Sequence, residues 1–465
     1  MWKVIWSHNW SRGSLLGRLL GAALPAGLFL GACLAAHAAD AGRAPDAAGA
    51  TDTARATGAA DRPPNVVLIL GDDQAWTDFG FMGHPTIRTP HLDRLAAEGV
   101  VFTRGYVPAS LCRPSLATII TGLYPHQHGI TSNDPPLGLA RAEMLAQRER
   151  QIARIEAVPT LPRRLAERGY ASFQSGKWWE GAFARGGFTA GMTHGDPRRG
   201  GRHGDEGLRI GREGIGPIVE FLDSAGRRPF FLWYAPMLPH QPHNPPERLL
   251  EKYRSKTDSL HVARYWAMCE WFDETCGALL DELERRKLKD DTLIIFLVDN
   301  GWIQQPDAPG YATRSKRSQY DGGVRTPIVL RWPRRVRPRR DEQSLASSID
   351  VVPTVLAACG VRPGRDLPGI DLLEPEAAAR REAIFGEIFT HNAIDIDTPA
   401  SSLMYRWMID GWWKLIVPCA ANVPDGRPEL FDLKADPGEQ RDRFGAEPER
   451  AAALRAKLDA WWLGR

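Results

Sequence analysis

Three short apolar runs constrain the fold of this chain more than any other feature. They cover residues 65–70 (NVVLIL), 229–235 (PFFLWYA) and 292–298 (TLIIFLV), and within each run the apolar residues follow one another without alternation. Such continuity is typical of strands that are buried on both faces. Helical patterns lie between the runs, after Pro90, from Thr160 and over residues 260–286. Strands that alternate with helices predict an α/β fold with a mostly parallel sheet.

Each of the three runs is followed by polar side chains that can bind a metal ion or transfer a proton: Asp72 and Asp73, His240 and His243, Asp299 and Asn300. Ligand sites in parallel sheets lie at the carboxyl ends of the strands, where these residues fall. Adjacent carboxylates repel each other unless a cation is present, and an all-oxygen ligand set favours Ca²⁺ or Mg²⁺ over zinc. An Asp-rich turn or a helix cap would explain one such pair. Two pairs at equivalent strand ends favour a metal site.

Cys112 stands in the stretch SLCRPSLATIITGLYPHQHG, residues 110–129. Pro114 suits the first turn of a helix and Gly122 suits its end, which places Cys112 at the helix N-terminus. Free N–H groups and the helix dipole favour an anion there, so the pattern outlines a nucleophile beside an anion site. A buried thiol that only packs is the alternative.

The N-terminal residues predict export. Residues 1–38 carry positive charge, then an apolar run, then small residues, which is typical of a signal peptide that is cleaved after Ala38. The same run contains Leu30-Gly31-Ala32-Cys33, a bacterial lipoprotein pattern, and a retained membrane anchor is a further alternative. Residues 39–62 are rich in Ala, Asp, Thr and Gly, a composition that predicts a flexible linker. We therefore expect a periplasmic or secreted protein, with a possible lipid anchor at Cys33.

Charge and cysteine content exclude two classes of protein. The formal net charge is +3 over 465 residues, so nucleic-acid binding is not expected. Five cysteines follow the predicted signal peptide, and two of them, Cys269 and Cys276, lie two turns apart on one predicted helix, too far for a disulfide. A disulfide scaffold is not expected.

Several ordered motifs together resemble the formylglycine-dependent sulfatases. They are D-D-x-x-x-x-D-x-G, T-P-H-L-D-R-L-A-A-E-G-V-V-F, C-R-P-S-L-A-T-I-I-T-G, G-K-W, P-H-Q-P, V-D-N-G and Y-D-G-G-V-R-T-P, and the resemblance runs from about residue 65 to the C-terminus. It implies an alkaline-phosphatase-like fold, a mixed sheet between helices with a smaller C-terminal antiparallel subdomain. We place the catalytic domain at residues 63–373 and the subdomain at 374–465.

The resemblance also implies roles for single residues. Asp72, Asp73, Asp299 and Asn300 match the Ca²⁺ ligands of the family. Cys112 matches the cysteine that a formylglycine-generating enzyme oxidises to formylglycine (3-oxoalanine), whose hydrate is both a metal ligand and the nucleophile. Lys177, His240 and Lys316 match residues that contact the sulfate or the leaving oxygen. The implied reaction is hydrolysis of a sulfate ester on a carbohydrate or aryl substrate.

Two positions depart from the family pattern. The usual C-x-P-x-R ends in arginine, where this chain has Leu116, and the usual G-K-W-H ends in histidine, where it has Trp179. Leucine cannot steady a hydrate or sulfate, and indole only donates a hydrogen bond. The histidines that could substitute are His126, His128, His194 and His203.

The segment 185–216 is rich in glycine and arginine. Its basic residues could form a loop over the cleft that binds an anionic substrate, because arginine matches sulfate or carboxylate geometry; they are Arg198, Arg199, Arg202 and His203. An exposed insertion without function is the alternative.

Two other functions remain open at the level of sequence. One is a phosphodiesterase or phosphonate monoester hydrolase of the same superfamily, which would use the same metal ligands and an unmodified Cys112. The other is a non-catalytic protein that binds sulfated glycans and has lost turnover with the missing arginine and histidine.

Overall fold

The structure is a computed structural model that describes residues 62–196 and 204–464. The predicted signal peptide and nearly all of the predicted linker lie outside these residues, as do Arg198, Arg199, Arg202 and His203. Among the helices of the described part, none combines the length and the apolar character needed to cross a bilayer. All five described cysteines are free thiols.

A large sheet organises the described chain. Its eight strands occur in the order β5-β4-β6-β1-β7-β8-β2-β9, and a separate parallel pair is formed by β3 and β10. The bounds are β1 Asn65–Gly71, β2 Val100–Phe102, β3 Gly105–Tyr106, β4 Ala171–Gly176, β5 Ala190–Gly191, β6 Phe230–Ala235, β7 Thr292–Val298, β8 Ile328–Arg331, β9 Arg339–Asp341 and β10 Ala346–Ser347. Strands β5, β4, β6, β1 and β7 are parallel to one another, and only β8 is antiparallel to its neighbours.

Helices cover both faces of this sheet. The helices are α1 Pro90–Ala97, α2 Cys112–Thr121, α3 Pro125–His128, α4 Arg141–Ala153, α5 Leu161–Ala166, α6 Gly216–Ala225, α7 Glu247–Arg254, α8 Leu260–Arg285, α9 Asp321–Val324, α10 Val351–Ala358, α11 Pro375–Arg380 and α12 Pro448–Trp461. One face packs against α2, α5 and α10, and the opposite face packs against α1, α6 and α8.

The continuous apolar runs of the sequence follow from this double coverage. Successive side chains of a strand point to opposite faces, so Leu68 joins the core under α2 while Val67 joins the core under α8. Every residue of β1, β6 and β7 is buried. The α/β prediction, a mixed and mostly parallel sheet between helices, is confirmed.

A second, smaller sheet follows in the C-terminal part. Its four antiparallel strands are β11 Ala383–Phe389, β12 Leu403–Asp410, β13 Trp413–Pro418 and β14 Glu429–Asp432. One face packs on α12 through Leu454 and Leu458, and the other packs on residues of the main body such as Tyr106 and Val324. The predicted antiparallel C-terminal subdomain is therefore present.

A buried charge cluster joins the small sheet to the main body. The Lys414 ammonium on β13 lies 2.9 Å from Asp321 Oδ1 and 2.8 Å from Glu439 Oε1, and its side chain is fully buried. Glu439 also accepts the backbone N–H of Asp321 at 2.6 Å, and Tyr106 donates its hydroxyl to Asp321 at 3.2 Å. Each buried charge thus has an opposite charge within hydrogen-bonding distance.

We expect Lys414→Met to destabilise the fold by about 3–5 kcal/mol, because two buried carboxylates would lose their shared cation. Urea unfolding measures the change. The matched control is Lys457→Met, which removes an exposed ammonium 2.5 Å from Asp410 and is expected to cost less than about 1 kcal/mol. Equal losses in the two variants would contradict the role assigned to this cluster.

Candidate active site

Three carboxylates and one amide meet at the carboxyl ends of β1 and β7. Asp72 and Asp73 follow β1, and Asp299 and Asn300 follow β7, its parallel neighbour. The Asp73 backbone N–H donates to Asp299 Oδ1 at 3.2 Å, and Asn300 Nδ2 donates to Asp73 Oδ1 at 2.7 Å. All four side chains are buried. The structure therefore brings together the four residues that the resemblance assigns to metal binding.

The backbone of Asp73 is held in an unfavourable conformation. Its φ is +62°, in the left-handed region that non-glycine residues seldom adopt. Such a conformation costs of order 1–3 kcal/mol and is retained where the surrounding structure enforces it, often at functional sites. Here the turn directs two consecutive carboxylates into one cluster.

Two lysines lie against these carboxylates. Lys177 Nζ is 2.6 Å from Asp72 Oδ1 and 3.4 Å from Asp299 Oδ2, and Lys316 Nζ is 2.6 Å from Asp73 Oδ2. Lys177 follows directly after β4, where Gly176 has a φ of +83° and a Cβ would lie 1.8 Å from the Ala235 carbonyl oxygen. Only glycine allows β4 to end this close to β6, which positions Lys177.

The burial of these charges shifts their pKa values. Burial, reinforced by the Asp72 carboxylate, raises the pKa of Asp299 to about 8. Burial also opposes ionisation of Asp73, yet the charges of Lys316 and His240 hold its pKa well below the ordinary value. Burial alone would lower the pKa of Lys177, but the Asp72 carboxylate raises it well above the ordinary value.

The charges and the free oxygen atoms fit a divalent cation. When all three carboxylates are ionised they face two ammonium groups, which leaves one negative charge without an opposite charge in this cluster. Asp72 Oδ2 and Asn300 Oδ1 are buried and accept no hydrogen bond from any described residue. Buried oxygen atoms without a donor are costly, and a hard cation would satisfy them.

His240 and Cys112 complete the cluster. His240 Nε2 is 3.4 Å from Asp73 Oδ2, while Nδ1 donates to the Gln241 carbonyl at 2.6 Å. One potential ligand atom from each of Asp72, Asp73, Cys112 and His240 lies within 4.8 Å of the others. His240 thus lies close enough to bind a metal ion, one of the two roles that its place after the second apolar run predicts, whereas the resemblance assigns it to the substrate.

Cys112 is the first residue of α2, and its side chain is buried. Burial raises the pKa of its thiol to about 12, although Lys177 and Lys316 oppose the shift. The thiol therefore stays protonated near neutral pH and is a weak nucleophile in this setting.

The two departures from the family pattern occupy apolar surroundings. Leu116 and Trp179 are both buried and belong to the same apolar cluster as Cys112, with Trp178. Leu116 itself supplies no charge at the position of the family arginine. The proposed substitutes for the histidine are engaged elsewhere: His126 with Glu387, His128 with Thr118, and His194 with Asp205 and Glu206. His203 lies outside the described residues.

A buried network that the sequence analysis missed lies behind α2. The Arg113 guanidinium donates to both carboxylate oxygens of Glu180, at 2.8 and 2.7 Å, and to Gln151 Oε1 at 2.9 Å. The Arg113 backbone N–H donates to Asn133 Oδ1 at 3.0 Å. This network ties the segment that carries Lys177 to the helix that carries Cys112. The sequence signal for this network was Glu180, directly after G-K-W-W, but no motif near it identified Arg113 as its partner.

Lys316 belongs to a loop that is fixed at both ends. The Arg317 backbone N–H donates to the Ser110 carbonyl at 3.0 Å, just before Cys112. Five residues beyond Lys316, Asp321 enters the buried charge cluster with Lys414 and Glu439. The small C-terminal sheet thereby helps to hold a lysine of the site.

Comparison with family models identifies two regions. The Sulfatase model matches residues 64–361, and the model described as N-sulphoglucosamine sulphohydrolase, C-terminal, matches residues 311–460. Among curated proteins, arylsulfatase A of Homo sapiens is 29% identical over 86% of this chain and 89% of its own length. The N-acetylgalactosamine-6-sulfatase of Canis lupus familiaris is also 29% identical, over 68% of this chain and 66% of its own length.

Solved structures share the fold at low sequence identity. A structure of Ps i-CgsB in complex with k-i-k-neocarrahexaose has a TM-score of 0.70 at 22% identity and covers 87% of this chain and 94% of its own. The phosphonate monoester hydrolase of Agrobacterium radiobacter has a TM-score of 0.64 at 20% identity, with coverage of 85% and 95%.

We expect Ca²⁺ to stabilise the folded chain, because it would neutralise the buried carboxylates. A hundredfold excess over its dissociation constant corresponds to about 2.7 kcal/mol, measured as a rise in melting temperature that a chelator reverses. Asp299→Asn should reduce this rise, whereas the control Asp397→Asn, an exposed partner of Arg150, should keep it. A wild-type melting temperature that is insensitive to Ca²⁺, Mg²⁺ and chelator would contradict the metal site.

Proposed function

Because the chain belongs to the sulfatase family, we propose that it is a sulfuric ester hydrolase whose nucleophile derives from Cys112. The observation that carries the proposal is the position of Cys112, at the N-terminus of a buried helix beside three carboxylates and two lysines. The proposed catalytic domain comprises residues 63–373, and residues 374–465 form the C-terminal subdomain.

The residues proposed to hold one Ca²⁺ ion are Asp72, Asp73, Asp299 and Asn300, with the oxidised side chain of Cys112. The orphaned oxygens of Asp72 and Asn300 support this assignment. When bound, the cation would polarise a sulfate oxygen, and the hydrate of formylglycine would supply the attacking oxygen. Mg²⁺ is a less suitable occupant, since it demands a more regular ligand geometry than this set of carboxylates offers.

The chain's own groups are proposed to bind and orient the sulfate group. With a divalent cation in place the cluster carries one net positive charge, which matches a singly charged sulfate monoester. Lys177 and Lys316 can then donate hydrogen bonds to sulfate oxygens, where the negative charge is concentrated. His240 lies beside Asp73, and its Nε2 can hold the proton that the leaving oxygen takes up.

The proposed substrate is a sulfate ester on a carbohydrate or aryl group. The names of the curated relatives, an arylsulfatase and an N-acetylgalactosamine-6-sulfatase, support both classes. The complex of Ps i-CgsB with an oligosaccharide supports the carbohydrate class. We further propose that the chain is exported and matured by a formylglycine-generating enzyme, with a lipid anchor at Cys33 or cleavage after Ala38.

One observation favours a second candidate function, hydrolysis of phosphate or phosphonate esters. The position of the family arginine is Leu116, which packs in an apolar cluster, and the fold also matches a phosphonate monoester hydrolase. Such an enzyme would use the same carboxylates and lysines.

We expect the peptide that carries Cys112 to have sulfur replaced by oxygen, with the loss of two hydrogens, after expression with a formylglycine-generating enzyme. Mass spectrometry of the proteolysed protein measures this change. The peptide that carries Cys419 is the internal control and should keep its thiol. If Cys112 stays unmodified although the formylglycine-generating enzyme is present while the chain is synthesised, before it folds, the proposed nucleophile is wrong.

We expect the matured protein to hydrolyse 4-nitrophenyl sulfate with a kcat/KM at least about a hundredfold above that for 4-nitrophenyl phosphate. Cys112→Ala should lower kcat by about a thousandfold or more, because it removes the nucleophile. Cys419→Ala is the matched control and should turn over like the wild type. A preference for the phosphate ester would support the second candidate function instead.

A further inference from the structure

Two basic clefts lie at the end of the sheet opposite the site. One has a volume of about 550 Å³ and reaches Asn65, Phe230 and Asp291, at the amino-terminal ends of β1, β6 and β7. The other, of about 540 Å³, reaches Trp332, just after the antiparallel β8. Strands β1 and β7 each span seven residues, or about 20 Å. The clefts therefore lie at the amino-terminal ends of the parallel strands and the candidate active site at their carboxyl ends. We call the side of the molecule at the carboxyl ends the catalytic edge.

The walls of the two clefts are strongly basic. Together they contain a set that we call the basic rim: Arg62, Arg168, Arg227, Arg228, Arg286, Arg334 and Arg335. Arg62 and Pro63 line both clefts, so the rim is one continuous surface. Asp291 is the single acidic residue in either wall.

Most of the rim charge is not neutralised by ion pairs among residues 62–196 and 204–464. Arg286 pairs with Asp223 at 2.7 Å, and Arg334 pairs with Asp291. The other five arginines make no ion pair with any residue of the described chain, and they are exposed. Arg335 instead lies over the Trp332 ring at 5.6 Å, which leaves its charge available to a partner. A nearly neutral protein thus concentrates several unpaired arginines on one edge.

The position of Arg62 indicates which partner this edge meets. Arg62 is the first described residue, so the residues of the predicted signal peptide and linker join the described body at the rim. With a lipid at Cys33, the protein would be tethered to the bilayer through a chain segment that attaches to the described body at the rim and not at the catalytic edge. Anionic headgroups attract arginines that lie within a Debye length of the membrane surface.

We propose that the basic rim binds the surface of an anionic phospholipid membrane. The catalytic edge then points away from the bilayer, toward solvent and its substrate. A sulfated polymer is the less suitable occupant of the rim, because a chain held there would lie on the far side of the sheet from Cys112.

The test is co-sedimentation of the full-length protein with vesicles of pure phosphatidylcholine and with vesicles in which one third of the lipid is phosphatidylglycerol. An acyl chain on Cys33 would bind both kinds of vesicle, so the measured quantity is the ratio of the two affinities. We expect a ratio well above tenfold at low salt that falls toward one at high salt. Equal binding to both kinds of vesicle at low salt would overturn the proposal.

The variant Arg227→Gln/Arg228→Gln/Arg335→Gln should lower that ratio by at least about tenfold. The matched control, Arg141→Gln/Arg264→Gln/Arg427→Gln, neutralises three exposed arginines that make no ion pair among the described residues and should keep the ratio. Both variants should retain aryl sulfate turnover and melting temperature, which shows that they fold. If the rim variant loses affinity for dextran sulfate while its phosphatidylglycerol ratio is unchanged, the rim is a polyanion site and the membrane proposal is wrong.

Discussion

The site depends on one electrostatic constraint, the burial of more carboxylates than ammonium groups at the end of a parallel sheet. Asp72, Asp73 and Asp299 share a volume almost without solvent, where like charges repel strongly. The ammonium groups of two lysines offset most of this repulsion, and one negative charge remains without an opposite charge when all three carboxylates are ionised. Together with burial, this imbalance raises the pKa of Asp299 and favours a divalent cation. With the proposed cation bound, the cluster would carry a net positive charge and would attract an anionic ester.

The surrounding architecture maintains this arrangement by fixing its parts from several directions. The ends of β1 and β7 fix the positions of the three aspartates. The glycine turn at the end of β4 fixes the position of Lys177, and the N-terminus of α2 fixes that of Cys112. The loop of Lys316 is fixed by the segment before Cys112 and by Asp321, whose charge is balanced from the small C-terminal sheet. The subdomain is therefore part of the active-site support, since removal of Lys414 would release the carboxylate that anchors this loop.

Much of this was predictable from the sequence, for physical reasons that differ between elements. The three strands could be predicted because burial on both faces leaves β1, β6 and β7 with almost only apolar residues. The candidate metal ligands could be predicted because they follow the ends of these strands. Ion pairs between residues far apart in the chain could not be predicted from the sequence. Arg113 and Glu180 lie 67 residues apart, and Asp321 and Lys414 lie 93 apart, with nothing in either local pattern to name the partner. The surroundings of Leu116 and Trp179 could not be predicted either, because they depend on which residues from other parts of the chain pack around these side chains.

The burial of Cys112 sets an order of events in the life of the protein. Its side chain is 2% exposed, at the start of a helix whose ten residues are all buried. A modifying enzyme needs several residues on each side of its target in an accessible conformation, and the folded chain does not present them. The proposed oxidation of Cys112 would therefore have to precede folding, and a chain that folds first would keep an unmodified thiol. The rate at which this core folds would then limit the time in which the protein could be matured.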